Sequence, residues 1–368
     1  MTKIALSVIG GATGASALGS SHIARGKPNQ DAVAWQQRRL WTYIAVADGH
    51  GSAPHYRSDR GSRMAVDTLI ALFRDVTRDG ALREPDALAR RVPDLAGALV
   101  AQWREKVEAD VAKEPIPEPA GFARRTVYGS TCLGAAIGPG FAVMMQIGDG
   151  DLFVGTGSGD IARVFEADNT EGEQTYSLCL PDAAEHIKIA LFTAPNPMCA
   201  PDFVFASTDG FSKSLESDET VLAIVRDYRT AIRERGLRTV ASELDAWLMK
   251  CSQMGSGDDT SVAIFTADID ATDLFVPPRI GSFEGKQDSE SLATISPSLQ
   301  RETLGSPFVV VGALLCGAIC GLVAGLWGVP AIEKLVSGTS PAVAPPSTSP
   351  AIPALPAPGS PDRPVTPP

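Results

Sequence analysis

Trp41-Thr42-Tyr43-Ile44-Ala45-Val46-Ala47 is an almost unbroken apolar run that stops at Asp48-Gly49. Aromatic and β-branched residues in such a run, closed by glycine, predict a strand buried on both faces. The period then changes. Over 60–79, Met64, Leu69, Leu72, Phe73 and Val76 recur at helical spacing, which predicts an amphipathic helix. A second helix is predicted over about 86–112 through Leu88, Leu95, Leu99, Trp103 and Val107, with Pro93 as its kink or its true start. Short apolar segments at 130–137, 141–147 and 151–155, separated by glycine-rich turns, predict an antiparallel meander. Residues 156–200 carry no clear period and are read as irregular, with room for a mobile flap. A further buried strand is predicted at 203–208, then helices at about 218–235 and 238–253, then a last strand at 261–267. Residues 4–9 are read as a first strand running into a glycine-rich turn, in preference to an export signal, because the apolar core is short and Ser7 interrupts it.

The order is strands, helices, strands, helices, strand, without one-to-one alternation. That predicts an α+β fold rather than a doubly wound parallel sheet. Residues 1–270 form the predicted globular domain, and 271–304 a polar linker. From 305 to 332 there is no charged residue. The segment 308–329 is long enough at 1.5 Å per residue to cross a hydrocarbon layer of ~30 Å, and it is predicted to be a single transmembrane helix. Ala313, Gly317, Gly321 and Gly325 fall four apart on it, a small-residue face that would let two such helices approach as a dimer. Residues 333–368 are rich in proline and predicted to be an extended tail. Without an export signal, the globular domain is expected on the cytoplasmic side of the membrane.

Composition narrows the function classes. The 368 residues carry a formal net charge of −11, and no basic stripe with interleaved aromatics is present, so nucleic-acid binding is not expected. The six cysteines include no CxxC pair and are read as free thiols rather than a disulfide framework or zinc site.

Candidate chemistry lies at strand ends. Asp48-Gly49-His50-Gly51 follows the strongest predicted strand, and a carboxylate there, with glycines beside it, can offer a side-chain oxygen and a backbone carbonyl to one hard cation. Upstream lies Asn29-Gln30-Asp31; downstream lie Gly129-Ser130-Thr131, Ile147-Gly148-Asp149, Ser207-Thr208-Asp209-Gly210 and Gly257-Asp258-Asp259-Thr260-Ser261-Val262. Carboxylate, carbonyl and water ligands select Mn²⁺ or Mg²⁺ over Zn²⁺.

This ordered set resembles the type 2C metal-dependent serine/threonine protein phosphatases over about residues 5–268. The resemblance implies two packed antiparallel β-sheets flanked by helices, with a two-metal site at one edge. It implies that Asp48 bridges both ions, that Asp209 and Asp258 complete the first ion's protein ligands, and that the Gly49 carbonyl binds the second. It implies that Asp31 holds waters of the ions, that Asp149 serves a third, weaker ion, and that His50 is the general acid for the leaving alcohol. It further implies hydrolysis of phosphoserine and phosphothreonine by an ion-activated water, with phosphorylated proteins as partners, in particular a Ser/Thr kinase or its substrates.

Several positions depart from the family pattern. Gln30 stands where Glu is frequent, so that position carries no charge. The usual phosphate-binding arginine falls at Gly26, with Arg25 one residue off; Lys27, Arg57, Arg60 and Arg63 are the other candidate anchors. Gly150-Asp151 replaces a common Ser-Arg, and Lys213 stands where a second acidic residue often follows Asp209. These departures keep a second reading open: a catalytically weak, phosphatase-like module that docks phosphoproteins at the membrane.

Overall fold

The computed structural model describes residues 10–267 and 269, except 39, 79–89, 118–123, 139–140, 158, 167–174 and 194–200. Among the described residues, ten strands form two five-stranded antiparallel sheets. The first is ordered β1-β10-β9-β6-β7 and the second β2-β3-β4-β5-β8. The strands are β1 (Gly11–Ala17), β2 (Ala32–Arg38), β3 (Trp41–Ala47), β4 (Cys132–Gly138), β5 (Phe141–Ile147), β6 (Asp151–Thr156), β7 (Ile161–Arg163), β8 (Lys188–Thr193), β9 (Pro201–Ser207) and β10 (Thr260–Thr266). The helices are α1 (Ser20–Arg25), α2 (Ser58–Val76), α3 (Val92–Lys113), the single turn α4 (Asp209–Ser212), α5 (Asp218–Arg235) and α6 (Leu237–Met254).

Strand β3 shows why its sequence is unbroken. Ile44 and Val46 enter a core between the sheets with Leu133, Ala135, Met144, Leu152, Val204, Ala263 and Phe265. Tyr43, Ala45 and Ala47 point the other way, into a core made with Leu69 and Phe73 of α2 and Leu99 and Trp103 of α3. A third core packs Phe205, Phe211 and Val262 under Val225, Tyr228 and Ile232 of α5 and Leu244 and Leu248 of α6. The order of layers is therefore helices, sheet, sheet, helices, as the family resemblance implied. Pro93 lies in the first turn of α3, so it marks the helix start. The Ser217 side chain caps α5 by accepting from the Thr220 N–H at 3.2 Å.

Two expectations are corrected. The glycine-rich stretch after residue 10 is not a turn: Gly11–Ala17 is β1, paired along its length with β10. Its small side chains carry little hydrophobic signal because close packing leaves little room; a Cβ on Gly14 would meet Val33 Cγ2 at 2.7 Å. The predicted meander is also broken. β4 and β5 pair, but β6 belongs to the other sheet. The chain crosses between sheets at Gly148, whose φ of +98° suits glycine, and a Cβ there would meet Thr131 Cγ2 at 2.5 Å. Asp149 sits on this crossing.

Among the described residues Cys132, Cys179 and Cys251 are free thiols. No helix among the described residues is long and apolar enough to cross a membrane. The expected first strand at 4–9, the linker, the helix at 308–329 with its small-residue face, and the proline-rich tail lie outside the described residues.

Candidate active site

The two sheets bring the acidic motifs to one edge. Asp48 follows β3, and its loop is held by the motif Gly129-Ser130-Thr131. The Asp48 N–H donates to Thr131 Oγ1 at 2.9 Å, the Thr131 N–H donates to the Asp48 carbonyl at 2.8 Å, and the His50 N–H donates to the Gly129 carbonyl at 3.1 Å. The Gly49 N–H donates to the Gln30 carbonyl at 3.1 Å, which ties the loop to the Asn29-Gln30-Asp31 turn. Only glycine fits at 49, because a Cβ would stand 2.6 Å from the carbonyl oxygens of both Gln30 and Ser58.

Asp31 is buried at 5 % exposure. Asn29 Oδ1 accepts from its N–H at 2.9 Å, and Thr208 Oγ1 donates to its Oδ2 at 2.7 Å. Thr208 Oγ1 also accepts the Ser261 N–H at 2.9 Å, so Thr208 joins the β10 motif to Asp31. Asp209 opens the turn α4 and is also buried. Asp149 accepts from Thr175 Oγ1 at 2.9 Å, which draws the segment after residue 174 against the site. In the same segment Ser177 Oγ accepts the Ser130 N–H at 3.0 Å.

Electrostatics shows that these acids share one environment. Burial first, then the charges of Asp31 and Asp209 and a contact with Asp209, push the Asp48 carboxyl well above the usual carboxylate range, and Asp258 adds to this. Asp31 is raised by burial and by Asp259 and Asp209, against the opposing bond from Thr208. Asp149 is raised by burial and by Asp209. One basic side chain enters the group. Lys213 Nζ bonds the Asp209 carboxylate and stands 3.6 Å from Asp149 Oδ2. Partial burial draws its pKa down, but Asp209, Asp149 and Asp48 outweigh this and hold it above the usual lysine value.

Asp258 is half-exposed, and its position depends on two residues that sequence reasoning did not single out. Asp259 is 3 % exposed and accepts from the N–H groups of Gly19 and Gln30, each at 2.7 Å, and pairs with His22 Nδ1 at 2.9 Å. His22 Nε2 in turn stands 3.6 Å from Asp258 Oδ1. The sequence signal was the doubled acid at 258–259, of which only one can face outward from the start of β10.

Among the described residues, no three His, Cys, Asp or Glu side chains converge closely enough to enclose an ion by themselves. The donor set still suits hard cations that keep much of their water, which take one or two carboxylates each. Gln30 supports that fit. Its Nε2 donates to the His50 carbonyl and to Ser58 Oγ, while its buried Oε1 has no protein partner. Such an acceptor suits a water molecule.

The candidate phosphate anchors separate clearly. Arg57 bonds Tyr128 Oη and the Glu114 carbonyl, each at 2.8 Å; Arg60 pairs with Asp110 and Glu114; Arg63 pairs with Asp59 at 3.3 Å. These three are committed to α2 and its contacts. Lys27 Nζ instead donates to the Gly51 carbonyl at 2.8 Å, beside the Asp48 loop, and Arg25 is exposed at the end of α1. His50 packs edge-on to His55 with ring centroids 4.8 Å apart. Burial and His55 push the His50 imidazole down to about 4, against the pull of Asp149.

The family model described as Protein phosphatase 2C matches residues 18–249. Serine/threonine-protein phosphatase 3 of Escherichia coli (strain K12) is 31 % identical over 151 residues, covering 39 % of this chain and 53 % of that protein. The chain thus spans about half the length of the curated relative it matches. Among solved structures, the Mycobacterium tuberculosis serine/threonine phosphatase PstP/Ppp is 17 % identical, over 70 % of this chain and 97 % of that one, with a TM-score of 0.42. The catalytic domain of PstP in complex with two manganese ions is 18 % identical over 70 % and 97 %, with a TM-score of 0.44. PppA of Pseudomonas aeruginosa is 19 % identical over 70 % and 96 %, with a TM-score of 0.45. With the family model spanning more than half of its length and the acidic motifs gathered at one sheet edge, the chain belongs to the protein phosphatase 2C family.

Proposed function

We propose that this chain hydrolyses phosphoserine and phosphothreonine in proteins, using two divalent ions, Mn²⁺ or Mg²⁺, held among the acids at the sheet edge. One observation carries the reading. Asp31, Asp48, Asp149 and Asp209 come from four separate segments into one group, in which burial and the Asp209 charge raise the pKa of the other three. Clustered like charges cost stability on their own, and cations offset that cost.

Asp48, Asp209, Asp258 and the Gly49 carbonyl would hold the ions. When bound, the ions neutralise the phosphate dianion and lower the pKa of the attacking water. The chain's own groups do the rest. Asp31, fixed by Thr208 and by the Asn29 turn, accepts a hydrogen bond from water and orients it, and Gln30 Oε1 offers a second acceptor. Lys27 keeps a positive charge beside the Asp48 loop, where a phosphoryl oxygen can be received, with Arg25 next to it in sequence. His50, on the same loop, is the acid for the departing alcohol once the phosphate dianion beside it offsets the burial and the His55 charge that hold its imidazole at about 4 in the free site. Its replacement by Ala is expected to slow an alkyl phosphopeptide at least about tenfold more than an aryl phosphate, whose leaving group needs little protonation. Steady-state rates on the two substrates decide this, and equal slowing removes His50 from the role.

A second reading, phosphoprotein docking with weak catalysis, draws on Lys213, whose ammonium already neutralises Asp209. Turnover of an aryl phosphate by the full-length chain, with Mn²⁺ and with chelator, separates the two. Chelator-sensitive turnover supports the hydrolase. A folded chain that binds phosphopeptide without turnover supports docking.

The site is further proposed to work at a membrane, cytoplasmic side, through residues 308–329, on a Ser/Thr kinase or its substrates; the −11 net charge and absent basic stripe speak against nucleic acid. The full chain is expected to stay with membranes through a carbonate wash, and deletion of 305–368 to release it. Retention of the deleted form in the membrane fraction would sink the anchor.

A further inference from the structure

The acidic group contains its own cation. Lys213 follows the turn α4, four residues after Asp209, and bonds the Asp209 carboxylate with Nζ while standing 3.6 Å from Asp149 Oδ2. Among the described residues, no other Lys or Arg bonds Asp31, Asp48, Asp149 or Asp209. The Lys213 side chain is 58 % exposed, so its stem is free to swing, whereas Asp209 is 7 % exposed and fixed at the start of its turn. An ammonium and a divalent ion on one carboxylate repel each other strongly at contact distance. The second carboxylate, already within 3.6 Å, gives the ammonium somewhere to go.

We infer that Lys213 is a tethered counter-ion that competes with a divalent cation for Asp209 and withdraws to Asp149 when that cation binds. This rests on the metal reading above. In the metal-free chain the lysine neutralises a buried carboxylate and so supports the fold. In the loaded chain it stays beside the ions as a positive charge that weakens their binding. One residue thereby narrows the gap in stability between the two states and lowers ion affinity.

The test measures Mn²⁺ affinity of the full-length chain in detergent by titration calorimetry, and its melting temperature in chelator. The proteins are wild type, Lys213→Gln, Lys213→Arg and Asp48→Asn. Lys213→Gln is expected to bind Mn²⁺ about fivefold or more tightly, since a repelling charge is removed, and to melt lower than wild type in chelator. Lys213→Arg, which keeps the charge, is expected to stay within about twofold of wild-type affinity. The opposite signs are diagnostic, because a merely structural lysine would lower both quantities. Unchanged or weaker Mn²⁺ binding by Lys213→Gln, with binding lost in Asp48→Asn, overturns the Lys213 role alone. If wild type binds no Mn²⁺, or Asp48→Asn binds as wild type does, the metal reading falls and takes this inference with it.

Discussion

Asp48→Asn is expected to lower kcat/KM at least about 1,000-fold, roughly 4 kcal/mol of transition-state stabilisation, while leaving the chain folded. Asn keeps the shape of the side chain, so the backbone bonds between the Asp48 loop and Thr131 have no reason to change. What is lost is a charge that touches Asp209 and feels Asp31 and Asp258 as well. On the proposed reading, a neutral amide there would leave the ions with one charged ligand fewer. Stability should move the other way in the absence of metal. The Asp48 carboxyl has a folded pKa raised above its unfolded value by burial and like charges, so its ionised form destabilises the metal-free fold at neutral pH. That penalty is lifted as pH falls through the raised value toward 3.8, and it is lifted at any pH by Asn. In chelator, therefore, Asp48→Asn should melt at or above the wild-type temperature. With Mn²⁺ present, wild type should gain stability and the variant little. Thermal melts with and without Mn²⁺, run beside the rate assay, check all of this. Wild-type-like turnover by a folded variant would remove Asp48 from the centre of the site.

The strands that sequence reveals are those buried on both faces. β3 announces itself because Tyr43, Ala45 and Ala47 meet the helices while Ile44 and Val46 meet the other sheet. β1 is silent for the opposite reason. Its glycines, alanines and serines make room for neighbours, and small residues in a strand look like a turn. The jump of β6 to the first sheet is also hidden, since Gly-Asp-Gly at 148–150 reads equally as a hairpin turn. The acids of the site are legible as strand-end motifs. Their supports are not, because they are contacts across the fold: Asp259 to His22 spans 237 positions, and Thr208 to Asp31 spans 177. Likewise Arg57, Arg60 and Arg63 look like anchors in sequence. For Arg57 and Arg60 the partners Asp110 and Glu114 lie at the end of α3, some fifty positions on, and only packing of α2 against α3 brings them together, while Arg63 pairs with Asp59 one turn back on its own helix. The doubled acid at 258–259 lies just before β10, and the burial of Asp259 beside a half-exposed Asp258 comes from its contacts with Gly19, His22 and Gln30.

That buried acid carries the second large effect. Asp259→Ala is expected to destabilise the chain by about 3–5 kcal/mol, since it strands the buried Gly19 and Gln30 N–H groups and the His22 ring without the carboxylate they share. For a domain of this size a loss of 3 kcal/mol lowers the melting temperature by about 6–12 °C. Asp259→Asn should fall in between, because one amide oxygen can still accept while the amide nitrogen must face a donor. The damage reaches the chemistry as well. Gly19 precedes α1, Gln30 precedes Asp31, and His22 lies against Asp258, so one carboxylate fixes three segments that present acids or their partners to the site. Loss of Asp259 should therefore weaken Mn²⁺ binding even below the melting transition, although Asp259 itself is assigned no ion. Differential scanning calorimetry with Mn²⁺ titration of the folded variants tests both parts. A melting temperature for Asp259→Ala within 1 °C of wild type would mean that the three donors find other partners, and the junction would lose its role.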